Sequence, residues 1–528
     1  MSGASQTADT RTAEPLHERL RRALQHVTDP PVELRETHLS WVLLTPDRAV
    51  KLRKPVRHAF VDQSTPVQRL RLSEEEARIN AALAPGLVLG VRAVVPMNTS
   101  FVLAPADTPG AVDWVVEMHR FDEEQTMAAL LAHGEITDEQ LAQVAGRLVA
   151  FHRGATPVHV ASPVGRVQAM CDRNTEELLP LVDGVVPPPD LAAAERFAAA
   201  FVIGHRETLA ARAAAGHLVD GHGDLRAEHV VLQDDAVLVV DRLEFDRELR
   251  IVDAADDLAF LVMDLWSLGG ADVADRLVAA YRDAGGDPGE DALIAFFGVY
   301  RALVRSKVAL LRAAELVGPE QDAAMDRARA LLNLATRLMW RARGPMLLLI
   351  TGPPASGKST LARALASASG LPVLSSDRER KRMLGIAEAA QAPIAAYTDA
   401  QRAEVYRHLA DGAAELLPSG GAIIDATFTA PELQEAFVDA LPEDARAAIC
   451  VVRCSLDPHV AARRAAERRP EDASGSDAGP EVATLLAAQM SPFPVPTARR
   501  LVVETDADEA EMVARVAAWL DEVLAHAG

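Results

Sequence analysis

Cysteine is almost missing from this chain: three residues in 528. Three thiols cannot build a disulfide framework. Cys450 and Cys454 share one apolar run, AAICVVRCSL, with no His or Cys pair nearby in sequence to complete a metal site, so they are expected to be buried structural thiols. Positive charge is also in deficit. Lys and Arg number 54 against 76 Asp and Glu, a formal net charge of −22, which argues against a general affinity for nucleic acid or anionic membranes. No apolar run approaches a membrane span. The opening MSGASQTADTRTAEP has no apolar core of a signal peptide, so the expected compartment is the cytoplasm. Self-similarity at solenoid periods is lacking too.

What is present is an ordinary globular composition, 49% apolar and 25% charged, on a chain long enough for two to four domains. One stretch stands out. Gly352-Pro353-Pro354-Ala355-Ser356-Gly357-Lys358-Ser359 fits the spacing Gly-x4-Gly-Lys-Ser/Thr of a phosphate-cradling loop. The run MLLLI before it is short enough for a buried parallel strand, and Thr360-Leu-Ala-Arg-Ala-Leu-Ala366 after it is a strong helix former. Loop amides and the helix start would face the phosphates of a nucleoside triphosphate. Lys358 would place a point charge on the β- and γ-phosphates, and the Ser359 hydroxyl would offer a hard oxygen to Mg²⁺.

In chain order, residues 1–14 are small and polar and read as a disordered tail. From 15 to 125 strands and one helix mix: a hairpin of 41–44 and 49–52 around Pro46-Asp47, a helix near 66–83, and strands near 91–95, 101–104 and 114–118. This is the texture of a small α+β lobe. From 126 to 343 helices dominate. Thr137-Asp-Glu-Gln140 is a capping box ahead of Leu141, Val144, Ala145, Leu148 and Val149 at helical spacing. A long helix is expected over 190–215, with others near 256–268 and 291–314. His152, on the apolar side of its helix, reads as a satisfied core histidine. The last portion, 344–528, alternates apolar runs with helical stretches, which means a parallel sheet covered on both faces. Its one Gly/Ser-rich patch, 473–480, is expected to be a mobile loop.

Between the helices of the second portion lies His222-Gly-Asp-Leu-Arg-Ala-Glu-His229, followed by the strand Ala236-Val-Leu-Val-Val-Asp241. On its own, His-Gly-Asp could be a turn with a buried histidine. Together with the strand and the two-lobe texture it resembles the aminoglycoside phosphotransferase and choline-kinase-like branch of the protein kinase fold, over roughly residues 25–340. In that family the motif is His-Gly-Asp-x4-Asn. The resemblance implies that Asp224 accepts the proton of a substrate hydroxyl and that Asp241 holds Mg²⁺ on ATP. It also implies that Lys51 of AVKL pairs with Glu76 (or Glu75), and that 117–120 form the hinge between lobes. Two departures leave phosphotransfer and ligand binding both open. The metal-binding Asn is His229 here, an imidazole poorly suited to hard Mg²⁺, and the segment ETHLSWVLL before Lys51 has no glycine.

Residues from about 345 onward resemble adenylate-kinase-like P-loop kinases, including gluconate-kinase-like, zeta-toxin-like and phage polynucleotide kinase relatives, and the whole chain is similar to a bacterial group that fuses the two parts. Ser376 and Glu379 read as a capping box that sets Asp377 in a first helical turn, where the helix dipole alone could also favour it. The resemblance makes Asp377 the base for the attacking hydroxyl and Arg380 a grip on substrate. It places Asp425 by Mg²⁺-bound water or the acceptor. It also makes the arginine-rich 461–469 a lid, for which a charged surface face is the rival reading. Together these features imply an α+β bilobal kinase-like domain followed by an α/β P-loop domain, using ATP and Mg²⁺ on a small hydroxylated substrate. Oligomeric state is not readable.

Overall fold

The computed structural model describes residues 14–526 apart from 27, 29–30, 58–60, 99, 187–189, 234–235, 388–389, 391, 457–459 and 461–489. The tail over 1–13, the lid over 461–469 and the Gly/Ser loop over 473–480 therefore lie outside the described residues. The chain divides into two compact units. Met1–His159 with Gly216–Pro288 make one, and Val160–Ala215 with Gly289–Gly528 make the other.

The first unit opens with an antiparallel sheet of β1 (Glu33–Glu36), β2 (Ser40–Leu44), β3 (Arg48–Arg53), β4 (Val88–Met97), β5 (Ser100–Pro105) and β6 (Asp113–His119), ordered β1-β2-β3-β6-β4-β5. The expected hairpin is β2–β3, in the register Leu44↔Ala49 and Val42↔Lys51. One sheet face buries Leu43, Val50, Leu52, Val94 and Val115 against Leu20 of the helix Leu16–Gln25. The helix Pro66–Asn80 starts on a Thr65–Gln68 capping box. Beyond the sheet come helices Asp138–Gly154, Ala254–Ser267 and Ala271–Asp283, with β7 (Leu218–Asp220) paired to β10 (Ile251–Asp253), and β8 (Val230–Gln233) to β9 (Ala236–Val239). Thr137 and Gln140 form the expected capping box. His152 is buried, with Nδ1 2.8 Å from the Tyr281 hydroxyl. It is a satisfied core histidine, as its helical position implies.

In the second unit, β11 (Met346–Thr351), β12 (Val373–Ser375), β13 (Gly421–Asp425), β14 (Ile449–Ser455) and β15 (Arg500–Glu504) make an all-parallel sheet in the order β12-β13-β11-β14-β15. Every residue of β11 is buried. Strand alternation sends Leu347 and Leu349 to one layer with Tyr406, Phe428 and Phe437. Met346, Leu348 and Ile350 go to the other with Leu361, Val516 and Trp519. An unbroken apolar run therefore reads as a strand covered on both faces. Cys450 and Cys454 lie buried on β14, their thiols pushed by burial up to about 11 and about 12. The helix expected over 190–215 is two, Leu191–Gly204 and Arg206–Ala214, parted where His205 leaves helical geometry at φ −110° and ψ 20°. Among the described residues, five α-helices that the sequence groups with the kinase-like lobes (Pro163–Leu178, Leu191–Gly204, Arg206–Ala214, Asp291–Glu315 and Pro319–Ala342) belong to this second unit. There the terminal helix Glu509–Ala525 packs on Leu191–Gly204, and Asp521 accepts a buried bond from Arg343 Nε at 2.7 Å. No described helix is long and apolar enough to cross a membrane.

Candidate active sites

The first site gathers on strand β3. Side chains two apart on a strand share a face, so Lys51 and Arg53 point the same way. Lys51 Nζ donates to Glu76 Oε1 at 2.8 Å and to Asp241 Oδ1 at 3.1 Å. Burial opposes charge on Lys51, but Asp241 and Glu76 prevail and raise its pKa. In turn the ammonium holds the Asp241 carboxyl well below the usual carboxylate range. Of the two candidate glutamates, Glu76 meets the lysine, whereas Glu75 bonds Arg78 at 2.7 Å. Arg53, 1% exposed, bonds Glu76 at 2.5 Å and Glu244 at 2.7 Å. Glu244 stands three residues past Asp241, so this second pair ties the strand, the Pro66–Asn80 helix and the Asp241 loop together. Asp241 itself has φ +59°, a conformation that few residues other than glycine adopt without support.

The segment 222–229 is clipped from below by one helix. Asp257 accepts from the backbone amides of His222 at 2.5 Å and Gly223 at 2.9 Å, and Asp264 accepts from the amide of Ala227 at 3.0 Å. Asp257 and Asp264 are seven apart, hence two turns up the same face. Burial pushes the Asp257 carboxyl up, but the His152 ring and the His222 amide outweigh it and hold it low. His222 Nε2 donates to the Val240 carbonyl at 2.9 Å. The His229 ring also has both nitrogens engaged: Nδ1 donates to the Asp224 carbonyl at 2.8 Å, and Nε2 accepts from Arg226 at 2.8 Å. Burial, then Arg226, lowers its pKa to about 4, so the ring is neutral. Arg226 Nε also reaches Asp224 Oδ2 at 3.1 Å. The turn from β1 to β2 is closed by Thr37, whose Oγ1 accepts from the Ser40 amide at 3.0 Å. No glycine stands there.

The second site is built at the carboxyl end of β11, beside the neighbours β13 and β14, where ligands gather in open parallel sheets. The loop 352–357 turns directly into the helix Lys358–Ser369. Gly352 (φ +146°) and Gly357 (φ +83°) are required as such. A Cβ on the first would sit 2.7 Å from Ser356 Oγ, and one on the second 2.8 Å from Thr505 Cβ. Ala355 takes φ +65° without that freedom. Lys358 Nζ donates to the Pro353 carbonyl at 2.8 Å, folding the ammonium over the loop. Ser359 Oγ donates to Asp425 Oδ2 at 2.7 Å, since Asp425 ends β13 opposite Ile350. Among the described residues Ser356 Oγ is buried without a hydrogen-bond partner, and none caps the helix start through its side chain. Polar capacity left open at a glycine-built cradle fits phosphate oxygens, and the Ser359–Asp425 oxygen pair fits a hard cation. Among the described residues no three His, Cys, Asp or Glu side chains are grouped to hold a metal ion.

Asp377 is the second residue of the helix Ser376–Met383 and pairs with Arg380, whose guanidinium lies 4.5 Å over the Tyr397 ring. The capping box expected of Ser376 and Glu379 is not formed. Ser375 is the N-cap and makes no side-chain cap bond. Glu379 instead takes Arg382 at 2.5 Å and His408 at 3.1 Å, charge-assisted partners stronger than a backbone cap. Thr360 follows Ser359 in the first helical turn. Sequence reasoning missed Tyr406, whose hydroxyl accepts from the Phe428 amide at 3.0 Å and holds the loop after Asp425.

The family described as "AAA domain" matches residues 347–493. Uncharacterized proteins of Mycobacterium tuberculosis and Mycobacterium bovis are 35% identical over 474 residues, covering 88% of this chain and 91% of theirs. The chain belongs to the family of these mycobacterial proteins. Among solved structures, the chain is similar to a choline/ethanolamine kinase family protein of Mesorhizobium loti at 15% identity, covering 62% of this chain and 99% of that one with a TM-score of 0.35. It is also similar to a putative kinase of Chloroflexus aurantiacus at 26% identity, covering 33% and 93% with a TM-score of 0.27.

Proposed function

We propose that this chain is an ATP-dependent phosphotransferase with two nucleotide sites, each moving a γ-phosphoryl group to a hydroxyl of a small molecule. The observation that carries the reading is the pairing of Ser359 Oγ with Asp425 at 2.7 Å at the mouth of the glycine loop. Bound ATP with Mg²⁺ supplies the electrophilic phosphoryl group. In the second site, loop amides and Lys358 would hold its phosphates, and Ser359 and Asp425 would hold the ion. Asp377 would take the proton of the acceptor hydroxyl, kept in place by Arg380. In the first site, Lys51, fixed by Glu76, would hold phosphate, Asp241 the ion, and Asp224 the acceptor proton. In both, in-line transfer rests mainly on positioning and charge. The functional parts would be a kinase-like N-lobe over 15–125, its helical C-lobe over 126–343 and a P-loop kinase over 344–528.

A second reading keeps the P-loop kinase and makes the first part a ligand-binding regulator. It is favoured by Arg226 on Asp224 and by the closed turn at Thr37. Full-length protein incubated with γ-labelled ATP and a metabolite extract separates the two. Two labelled products, one lost in Asp224→Ala and the other in Lys358→Ala, support two sites. One product untouched by Asp224→Ala supports the regulator, and no labelled compound at all defeats both.

A further inference from the structure

The kinase-like resemblance assigns a metal ligand to position 229, and the side chain found there does not fit that role. The His229 ring gives its N–H to the Asp224 carbonyl at 2.8 Å and its lone pair to Arg226 at 2.8 Å. Nothing on the ring is left for a cation, and imidazole is in any case a poor donor to Mg²⁺. The space is occupied by charge of another kind. Arg226 reaches Asp224 Oδ2 at 3.1 Å through Nε and the His229 ring through Nη2, and that same ring nitrogen lies 3.7 Å from Asp241 Oδ2. The guanidinium thus bridges the proposed base and the histidine, and the histidine stands beside the carboxylate proposed to hold the metal.

We infer that Arg226 takes the place of a second metal ion, so that the first site works with a single divalent cation on Asp241. The inference rests on the reading of this site as a nucleotide site. The arginine is placed, not loose: its side chain is 14% exposed, Glu228 takes another of its N–H groups, and its carbonyl accepts from the His229 amide at 3.0 Å. Asp264 fixes the intervening Ala227 amide. On the other side of Asp241, Lys51 already occupies Oδ1 at 3.1 Å. Lys51 thus lies directly on Asp241 and Arg226 is joined to it through the His229 ring, positive charge that disfavours a second dication there. A planar guanidinium can meet phosphoryl oxygens through two N–H groups at once, neutralising charge without needing ligands of its own. His229 then acts as a positioning residue, its lone pair orienting the arginine.

The test counts metal rather than turnover. Full-length chain carrying Lys358→Ala and Ser359→Ala, to silence the P-loop site, is titrated with Mn²⁺ in the presence of a non-hydrolysable ATP analogue. Bound Mn²⁺ is read by electron paramagnetic resonance and bound nucleotide separately by equilibrium dialysis. One Mn²⁺ per nucleotide is expected. Adding Arg226→Leu with His229→Asn should raise the ratio to two, and Arg226→Lys, which keeps a cation, should leave it at one. A ratio of two before any change at Arg226 overturns the inference while leaving the nucleotide site intact. A ratio of one in both Arg226→Leu/His229→Asn and its parent overturns the part assigned to Arg226. Absence of bound nucleotide overturns the reading of the site itself, and the inference with it.

Discussion

The two candidate sites are built in opposite ways. In the P-loop site much of the polar capacity comes from backbone: amides without a side-chain cap at a helix start and a cradle whose glycines admit no Cβ, beside a buried Ser356 hydroxyl with no partner among the described residues. In the kinase-like site it comes from side chains that already neutralise one another. Lys51 lies on Glu76 and Asp241, Arg53 on Glu76 and Glu244, and Arg226 on Asp224. A backbone cradle is ready for an anion before it arrives. A side-chain network must exchange partners when one does, and that exchange can be tuned or lost through single substitutions.

The sharpest break in the comparison should come from the two proposed bases. Asp377→Asn should cost the P-loop product about 10²–10⁴-fold in rate, and Asp224→Ala the other product by a similar factor, each sparing its counterpart. Product-resolved rates on the full chain check this. Equal loss of both products in either variant would mean that the sites are obligatorily coupled. Next in size is Lys358→Ala, expected to slow only the P-loop product by about 10²–10³-fold through lost charge on the transferred group. A rate within twofold of wild type would remove Lys358 from the site.

A third prediction turns on Asp257, the carboxylate beneath the 222–224 segment of the kinase-like site. Asp257 holds two amides of the 222–224 segment and the His152 ring, and Asp257→Asn leaves these donors poorly matched. A cost of about 3 kcal/mol is expected at neutral pH. The Asp257 carboxyl titrates below its ordinary value of 3.8 in the folded chain. Its stabilisation is therefore fully present above that value, and it is lost as pH falls through the lower folded one. Denaturant unfolding at pH 7 and below pH 4 should show the gap between variant and wild type narrowing in acid. A gap that is constant with pH would assign the effect to packing.

Much of the P-loop half was legible because local and global demands agree there. The run Met346–Thr351 is buried on both faces, so an unbroken apolar string was enough to place a strand, and the loop motif sets its own geometry. In the kinase-like half the deciding contacts join residues far apart in the chain. Arg53 meets Glu244, and Asp257 meets His222, through tertiary packing that periodicity does not encode. Signals did exist: Arg53 shares a strand face with Lys51, and Asp257 and Asp264 share a helix face. The strand β1, with a mostly exposed Glu-Leu-Arg-Glu pattern, had none strong enough to separate it from a loop.

The smallest expected effect compares two helix starts that looked alike in sequence. Thr137 and Gln140 cap reciprocally: Thr137 Oγ1 accepts from the Gln140 amide at 3.2 Å, and the Gln140 side chain accepts from the Thr137 amide at 2.9 Å. Ser375 precedes Ser376–Met383 with no side-chain cap bond, and its N3 residue is Arg378, which cannot return a bond as Gln140 does, while Glu379 one position on takes Arg382 and His408. Thr137→Ala should therefore destabilise the chain by about 1 kcal/mol, whereas Ser375→Ala should fall within about 0.5 kcal/mol of wild type. Denaturant midpoints of the two single variants, measured together, check the difference. If Ser375→Ala cost as much as Thr137→Ala, the serine would be capping after all. Its helix would then start from a hydrogen-bonded cap as the Thr137 helix does, and the contrast between an open, ligand-ready second site and a self-satisfied first one would lose one of its supports.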